Sequence, residues 1–150
     1  MKPILLAVEV SAPCDRVWSM VTDIAGAPTN IPAIKSVEFT CPAREGLGTR
    51  WRDTRVMFGR EVTEQLEITE WMPPREYVVT SQNHGCGNRC AVRVRPNGGG
   101  AQLEYEFRIT AHSLFARILT GVMLPFMRGA IRKALAADLA AIKTRCESMP

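Results

Sequence analysis

The chain has 150 residues, the usual size of one compact domain, and a chain of that length buries about 70% of its extended-state surface. With 46% hydrophobic and 23% charged residues it has the balance of a globular protein, which excludes a disordered or fibrous chain. Nineteen basic against fifteen acidic residues leave a net charge of +4; the charges interleave, and no aromatic–basic motif argues for a nucleic-acid partner.

No spanning helix is expected. Such a helix needs roughly 18 or more apolar residues, and the longest apolar run, residues 114–127, is interrupted by Arg117 and Pro125. The apolar start from Ile4 to Val8 is short for a secretory signal, and Glu9 follows at once. Five cysteines without motif spacing read as free thiols in a reducing compartment, the cytoplasm.

In chain order, residues 4–10 alternate, with Ile4, Leu6, Val8 and Val10 on one side, and predict a strand. Ser11-Ala12-Pro13 opens a helix through Val17, Trp18 and Val21, with Ser11 or Ala12 near the cap and Pro13 in the first turn. A short helical turn over residues 23–29 follows. The period then switches to two, predicting strands at 34–40, 49–58, 61–71, 76–83, 89–95 and 101–110, separated by turn residues. Residues 113–145 form one long helical pattern with the apolar stripe Ile131, Leu135, Leu139 and Ile142, which Pro125 should kink or divide. The fold class is α+β, with an antiparallel sheet covered by the terminal helix.

Two-residue turns set trial registers. Gly59-Arg60 as a turn opposes Met57 to Val62, Arg55 to Glu64, Asp53 to Leu66 and Trp51 to Ile68; the outer face pairs Val56 with Thr63, Thr54 with Gln65 and Arg52 with Glu67. Cys86-Gly87 as a turn sets Val79, Ser81 and Asn83 against Val94, Val92 and Cys90. Gly98-Gly99 sets Val94, Val92 and Cys90 against Leu103, Tyr105 and Phe107, with Arg93–Glu104 and Arg95–Gln102 outside. The more apolar set faces inward.

The inner face nevertheless carries Asp53, Arg55, Glu64, Ser81, Asn83 and Tyr105 among Trp51, Met57, Leu66, Ile68, Val92 and Phe107. Buried charges need partners. One reading is a closed Arg55–Glu64 cross-strand pair, with Asp53 at the wet end of the sheet. The other is a cavity in which these groups orient a small molecule, since apolar walls with a few convergent polar groups suit such a ligand. Arg128 projects onto the inward stripe of the long helix and joins this candidate binding set.

Val8-Glu9-Val10-Ser11-Ala12-Pro13, Val17-Trp18, Thr22-Asp23, Gly48-Thr49-Arg50-Trp51 and Ile68-Thr69-Glu70-Trp71-Met72-Pro73-Pro74-Arg75, with the terminal helix, occur in an order that resembles the START-like helix-grip superfamily. That group includes polyketide cyclase/dehydrase and lipid-transport proteins, and the birch pollen allergen family shares the fold. The resemblance covers nearly the whole chain. It implies a seven-stranded antiparallel sheet wrapped around the C-terminal helix, two short helices after the first strand, and a cavity for a hydrophobic or amphipathic ligand: a lipid, an isoprenoid or a polyketide-like compound. It transfers no catalytic residue and implies no cofactor.

His84, Cys86 and Cys90 supply at most three zinc ligands from one hairpin, and no metal site is expected. Cys14, Cys41 and Cys146 show no motif, and His112 falls just ahead of the long helix. A carrier would use the inner polar groups to grip a ligand's head. A cyclase or dehydrase would use Glu64, Asp53 or Tyr105 as acid or base and Arg55 to polarise a carbonyl. A third reading is transient contact with a membrane or partner through residues 114–127, apolar nearly all round.

Overall fold

Seven alternating segments become seven strands. The computed structural model describes residues 2–57, 59–83 and 85–149, with only the backbone of Asn83. The elements are β1 (Ile4–Val10), α1 (Cys14–Thr22), α2 (Ala27–Asn30), β2 (Ile34–Phe39), β3 (Arg50–Met57), β4 (Arg60–Met72), β5 (Glu76–Asn83), β6 (Cys86–Asn97), β7 (Gly100–Ala111) and α3 (Leu114–Ser148). One antiparallel sheet has the order β1-β7-β6-β5-β4-β3-β2, and α3 packs on it chiefly through β1 and β7.

Two of the trial registers need correction. The β3–β4 connection is residues 58–59, so Asp53 opposes Glu64, Arg55 opposes Val62 and Trp51 opposes Leu66; outside, Thr54 meets Thr63 and Arg52 meets Gln65. The β5–β6 connection is residues 84–85, which sets Val79 against Cys90 and Ser81 against Asn88, and starts β6 at Cys86. Gly85 adopts φ +78°, which only glycine accepts without strain, and this fixes the turn earlier than Cys86-Gly87. These slips are of two and four residues. An even slip leaves every side chain on its face, so the inner set survives. The β6–β7 register is as expected, Val94 facing Leu103 and Arg93 facing Glu104. Phe58, expected at a strand end, and His84, weighed as a zinc ligand, lie outside the described residues.

At α1, Pro13 is the cap residue itself, with no side-chain cap, and its carbonyl accepts from Arg16 and Val17. The second helical segment is shorter than expected because Asp23 Oδ1 accepts from Gly26 N–H in a turn ahead of α2. Ser113 caps α3, accepting from Ala116 N–H at 3.0 Å. Pro125 does not divide α3. The carbonyl it leaves without a donor belongs to Gly121, which is exposed to solvent. By length and composition α3 is therefore long and apolar enough to cross a membrane, contrary to the sequence expectation.

Val10, Val17, Trp51, Ile68, Leu103, Leu139 and Ile142 share one buried cluster. Trp18, Trp71 and Tyr77 pack with ring centroids 5.4–5.9 Å apart, and the Tyr77 hydroxyl donates to Val21 O at 2.5 Å. This ties β5 to the end of α1 and closes one end of the space between sheet and α3.

Candidate functional site

The second half of α3 places Ile131, Leu135, Asp138 and Ile142 opposite the inner sheet face, and Val21, Ile24 and Ile31 from the α1–α2 region close a third side. The pocket between them measures about 350 Å³. Leu66, Val92 and Phe107 contribute apolar wall from the sheet, as do Trp51 and Met57.

Its polar groups converge on Arg55. Arg55 Nη1 donates to Asp138 Oδ2 at 3.0 Å, and Nε lies 3.6 Å from Asp53 Oδ1. Asp53 and Asp138 are 6% and 4% exposed. Burial raises the pKa of both carboxyls, while Arg55 pulls them back down. Burial works against the charge on Arg55, but Asp138 and Asp53 more than offset it and its pKa rises. Glu64 lines the same pocket and has no hydrogen-bond or ion-pair partner among the described residues; burial raises its carboxyl as well. Tyr105 stands in the wall with its phenol pushed far up by burial.

Ser81 is buried on β5 and lines the pocket. Its Oγ is the one buried side-chain oxygen or nitrogen among the described residues that lacks a hydrogen-bond partner. A hydroxyl left in that state costs about 1–3 kcal/mol.

Of the residues singled out from sequence, Trp51, Asp53, Arg55, Met57, Glu64 and Leu66 line the pocket from β3 and β4. Ser81, Val92, Tyr105 and Phe107 line it from β5, β6 and β7. The side chain of Asn83 lies outside the described residues. Arg128 does not join them: its guanidinium donates to Lys2 O at 2.8 Å and Pro3 O at 3.1 Å, holding the lead into β1. The closed Arg55–Glu64 pair is replaced by Arg55–Asp138, because the two-residue slip puts Val62 opposite Arg55. Asp53 is buried beside Arg55 rather than at a wet end.

Asp138 was missed. It sits seven residues after Ile131, on the apolar stripe itself, and a single carboxylate on such a stripe was the available signal. Cys90 also faces the pocket, but burial pushes its thiol up to about 12, which leaves it protonated and a poor nucleophile. Cys86 Sγ lies 3.6 Å from Thr120 Oγ1, and all five cysteines are free.

Residues 5–147 match the family model described as polyketide cyclase / dehydrase and lipid transport. No curated protein matches the chain. Among solved structures it is similar to TTHA0849 from Thermus thermophilus, at 20% identity over 96% of each chain with a TM-score of 0.75. It is similar to the Zhui aromatase/cyclase from Streptomyces sp. R1128, at 19% identity over 97% of this chain and 93% of that one, TM-score 0.73. A START superfamily protein from Mycobacterium smegmatis matches over 100% of both chains at 17% identity, TM-score 0.70. At these identities the likeness concerns the fold: a seven-stranded sheet gripping a long C-terminal helix. With the family match running from β1 to the last turns of α3, the chain belongs to the polyketide cyclase/dehydrase and lipid-transport family.

Proposed function

We propose that the protein binds an amphipathic small molecule in the pocket between the sheet and α3. The apolar body lies against Leu66, Val92, Phe107 and Ile131, and the polar end meets Ser81 and the Arg55 cluster. The observation that carries this reading is the orphaned Ser81 Oγ, a buried hydroxyl facing a pocket with mostly apolar walls.

The electrostatics narrow the class of polar end. Three carboxyls, Asp53, Glu64 and Asp138, surround one guanidinium whose Nη1 and Nε already face Asp138 and Asp53. Carboxyls outnumber the guanidinium three to one, so a hydroxyl or phenol donor fits and a ligand carboxylate is repelled. A neutral isoprenoid alcohol, sterol-like lipid or polyphenolic compound has this character; a free fatty acid does not. The five free thiols support a reducing cytoplasm as the setting.

Native mass spectrometry of freshly purified protein, followed by organic extraction, tests the reading. The expected result is a bound neutral compound bearing hydroxyl groups, absent from a pocket-filling Leu66→Trp variant that remains folded by circular dichroism. Trp51 emission should respond to binding, with the response lost in Trp51→Phe and kept in Trp18→Phe and Trp71→Phe. A protein that carries nothing and takes up no Nile red overturns it.

Glu64 favours a second reading, as a cyclase or dehydrase. Its carboxyl is unpartnered, faces the pocket and is raised by burial, the condition of a general acid. Incubating the extracted compound with ligand-free protein separates the two readings. Loss of one water from the compound, abolished in Glu64→Gln with binding retained, identifies an enzyme; recovery of the compound unchanged leaves a carrier.

A further inference from the structure

The first half of α3 is unlike the second. Leu114, Phe115, Ile118, Leu119, Val122 and Phe126 point to solvent, with Phe115 76% and Phe126 84% exposed. Their spacing puts them on one broad face. Burying large apolar side chains is the main source of a domain's stability, and six left in water along one stripe mark a surface that has a partner.

The charge around the stripe identifies the partner. Residues 107–137 contain no Asp or Glu. Arg117, Arg132 and Lys133 are exposed and make no ion pair among the described residues. On a 3.6-residue period Arg132 lies along the Leu114 edge of the stripe, Arg117 just beyond that edge, and Lys133 in line with the stripe two turns past Phe126. A broad apolar face rimmed by unpaired cations matches the interface of an anionic bilayer. A second copy of the chain is the poorer match, because pairing these stripes brings the same cations against each other.

Residues 114–127 extend roughly 21 Å, short of the roughly 30 Å hydrocarbon core. The helix beyond is held in the fold by Ile131, Asp138, Leu139 and Ile142. The geometry points to a docking surface on which the first half of α3 lies along an anionic lipid bilayer, apolar side chains in the interface and Arg117, Arg132 and Lys133 among the headgroups. Met127, part of the same turn as Phe126, also lines the pocket, so the docked face adjoins the pocket wall. The docking surface stands whether or not the pocket binds a ligand.

Vesicle co-sedimentation tests it, with phosphatidylcholine alone and phosphatidylcholine mixed with phosphatidylserine. The expected result is binding to the mixed vesicles that weakens with added salt and is much weaker on phosphatidylcholine alone. Ile118→Asp with Phe126→Asp should fold normally and lower the affinity at least about tenfold. Arg117→Glu, Arg132→Glu and Lys133→Glu together should lower it by roughly two orders of magnitude; if the apolar variant fails to fold, this one decides. Wild-type protein left in the supernatant at low salt overturns the proposal. So do variants that sediment like wild type, and a dimer by light scattering that the apolar variant dissociates while no vesicle binding occurs.

Discussion

Arg55 is the residue on which the pocket's electrostatics turn, since removing it leaves Asp53 and Asp138 buried without a counter-charge. Breaking such a pair costs roughly 3 kcal/mol or more. Arg55→Ala should therefore lower stability by about that amount in chemical denaturation. Arg52→Ala should change it by less than about 0.5 kcal/mol, because Arg52 is exposed on the opposite face and only 3.9 Å from Glu38 at closest. Equal losses would mean the faces of β3 are misassigned. Ser81 makes the opposite kind of prediction. Replacing its orphaned hydroxyl with Ala should stabilise the ligand-free protein by about 1 kcal/mol and weaken a hydroxyl-bearing ligand by several-fold. Gains in both would remove Ser81 from the binding role. At this scale the sequence was legible where alternation assigned a face, as for Arg55 and Ser81. It was opaque where two distant elements meet: Asp138 pairs with a residue 83 positions away, and no local pattern encodes that distance.

The strands and helices show why faces were easier to read than partners. A strand's inside and outside depend only on parity, which apolar alternation reports directly. Its register depends on which two residues make the turn, and Gly59-Arg60 and Cys86-Gly87 were plausible turns one and two positions late. Where the glycine run left little choice, at Gly98-Gly99, the register came out unchanged. That hairpin also offers a test. A Cβ at Gly100 would lie 2.5 Å from the carbonyl oxygen of Val10, whereas at Gly99 it would meet nothing within 4 Å. Gly100→Ala should cost roughly 1–3 kcal/mol by forcing β1 from β7, and Gly99→Ala less than about 0.5 kcal/mol. Thermal unfolding of the two variants measures the difference; similar melting would place the end of β1 farther from the turn. The long helix was legible in extent but not in continuity, since an exposed Pro125 one turn after an exposed Gly121 breaks less than a buried one would.

For the molecule as a whole, three carboxyls whose pKa values are raised by burial give a definite pH dependence. The folded state holds their protons more tightly than the unfolded chain does. Their contribution is thus fully present below the unfolded values, near pH 4, and is lost as pH rises through the folded values. Stability from these groups should decline from about pH 4 toward neutrality. Glu64→Gln should flatten that decline and raise the melting temperature at pH 7, as measured by pH-dependent thermal unfolding. An unchanged slope would mean that Glu64 is solvated. The overall architecture was legible because hairpin-connected strands followed by one long helix leave few arrangements; the pocket's depth and its third wall, from the α1–α2 region, were not, because they depend on packing across the whole sheet.

The clamps on β1 have a consequence for how the protein comes into being. Arg128 holds the carbonyls of Lys2 and Pro3, Lys143 holds that of Glu9, and Glu147 accepts from Ser11 N–H, across separations of 125 to 136 residues. The strand's ladder partner, β7, is also a late element. On a growing chain β1 is made first and waits longest, while β2 to β7 can add to one another as successive hairpins emerge. Contacts this remote slow folding, and an unpaired strand invites pairing with a neighbouring chain. During synthesis, the first strand made is therefore the last to be secured, and its vulnerable interval ends only when α3 folds over it.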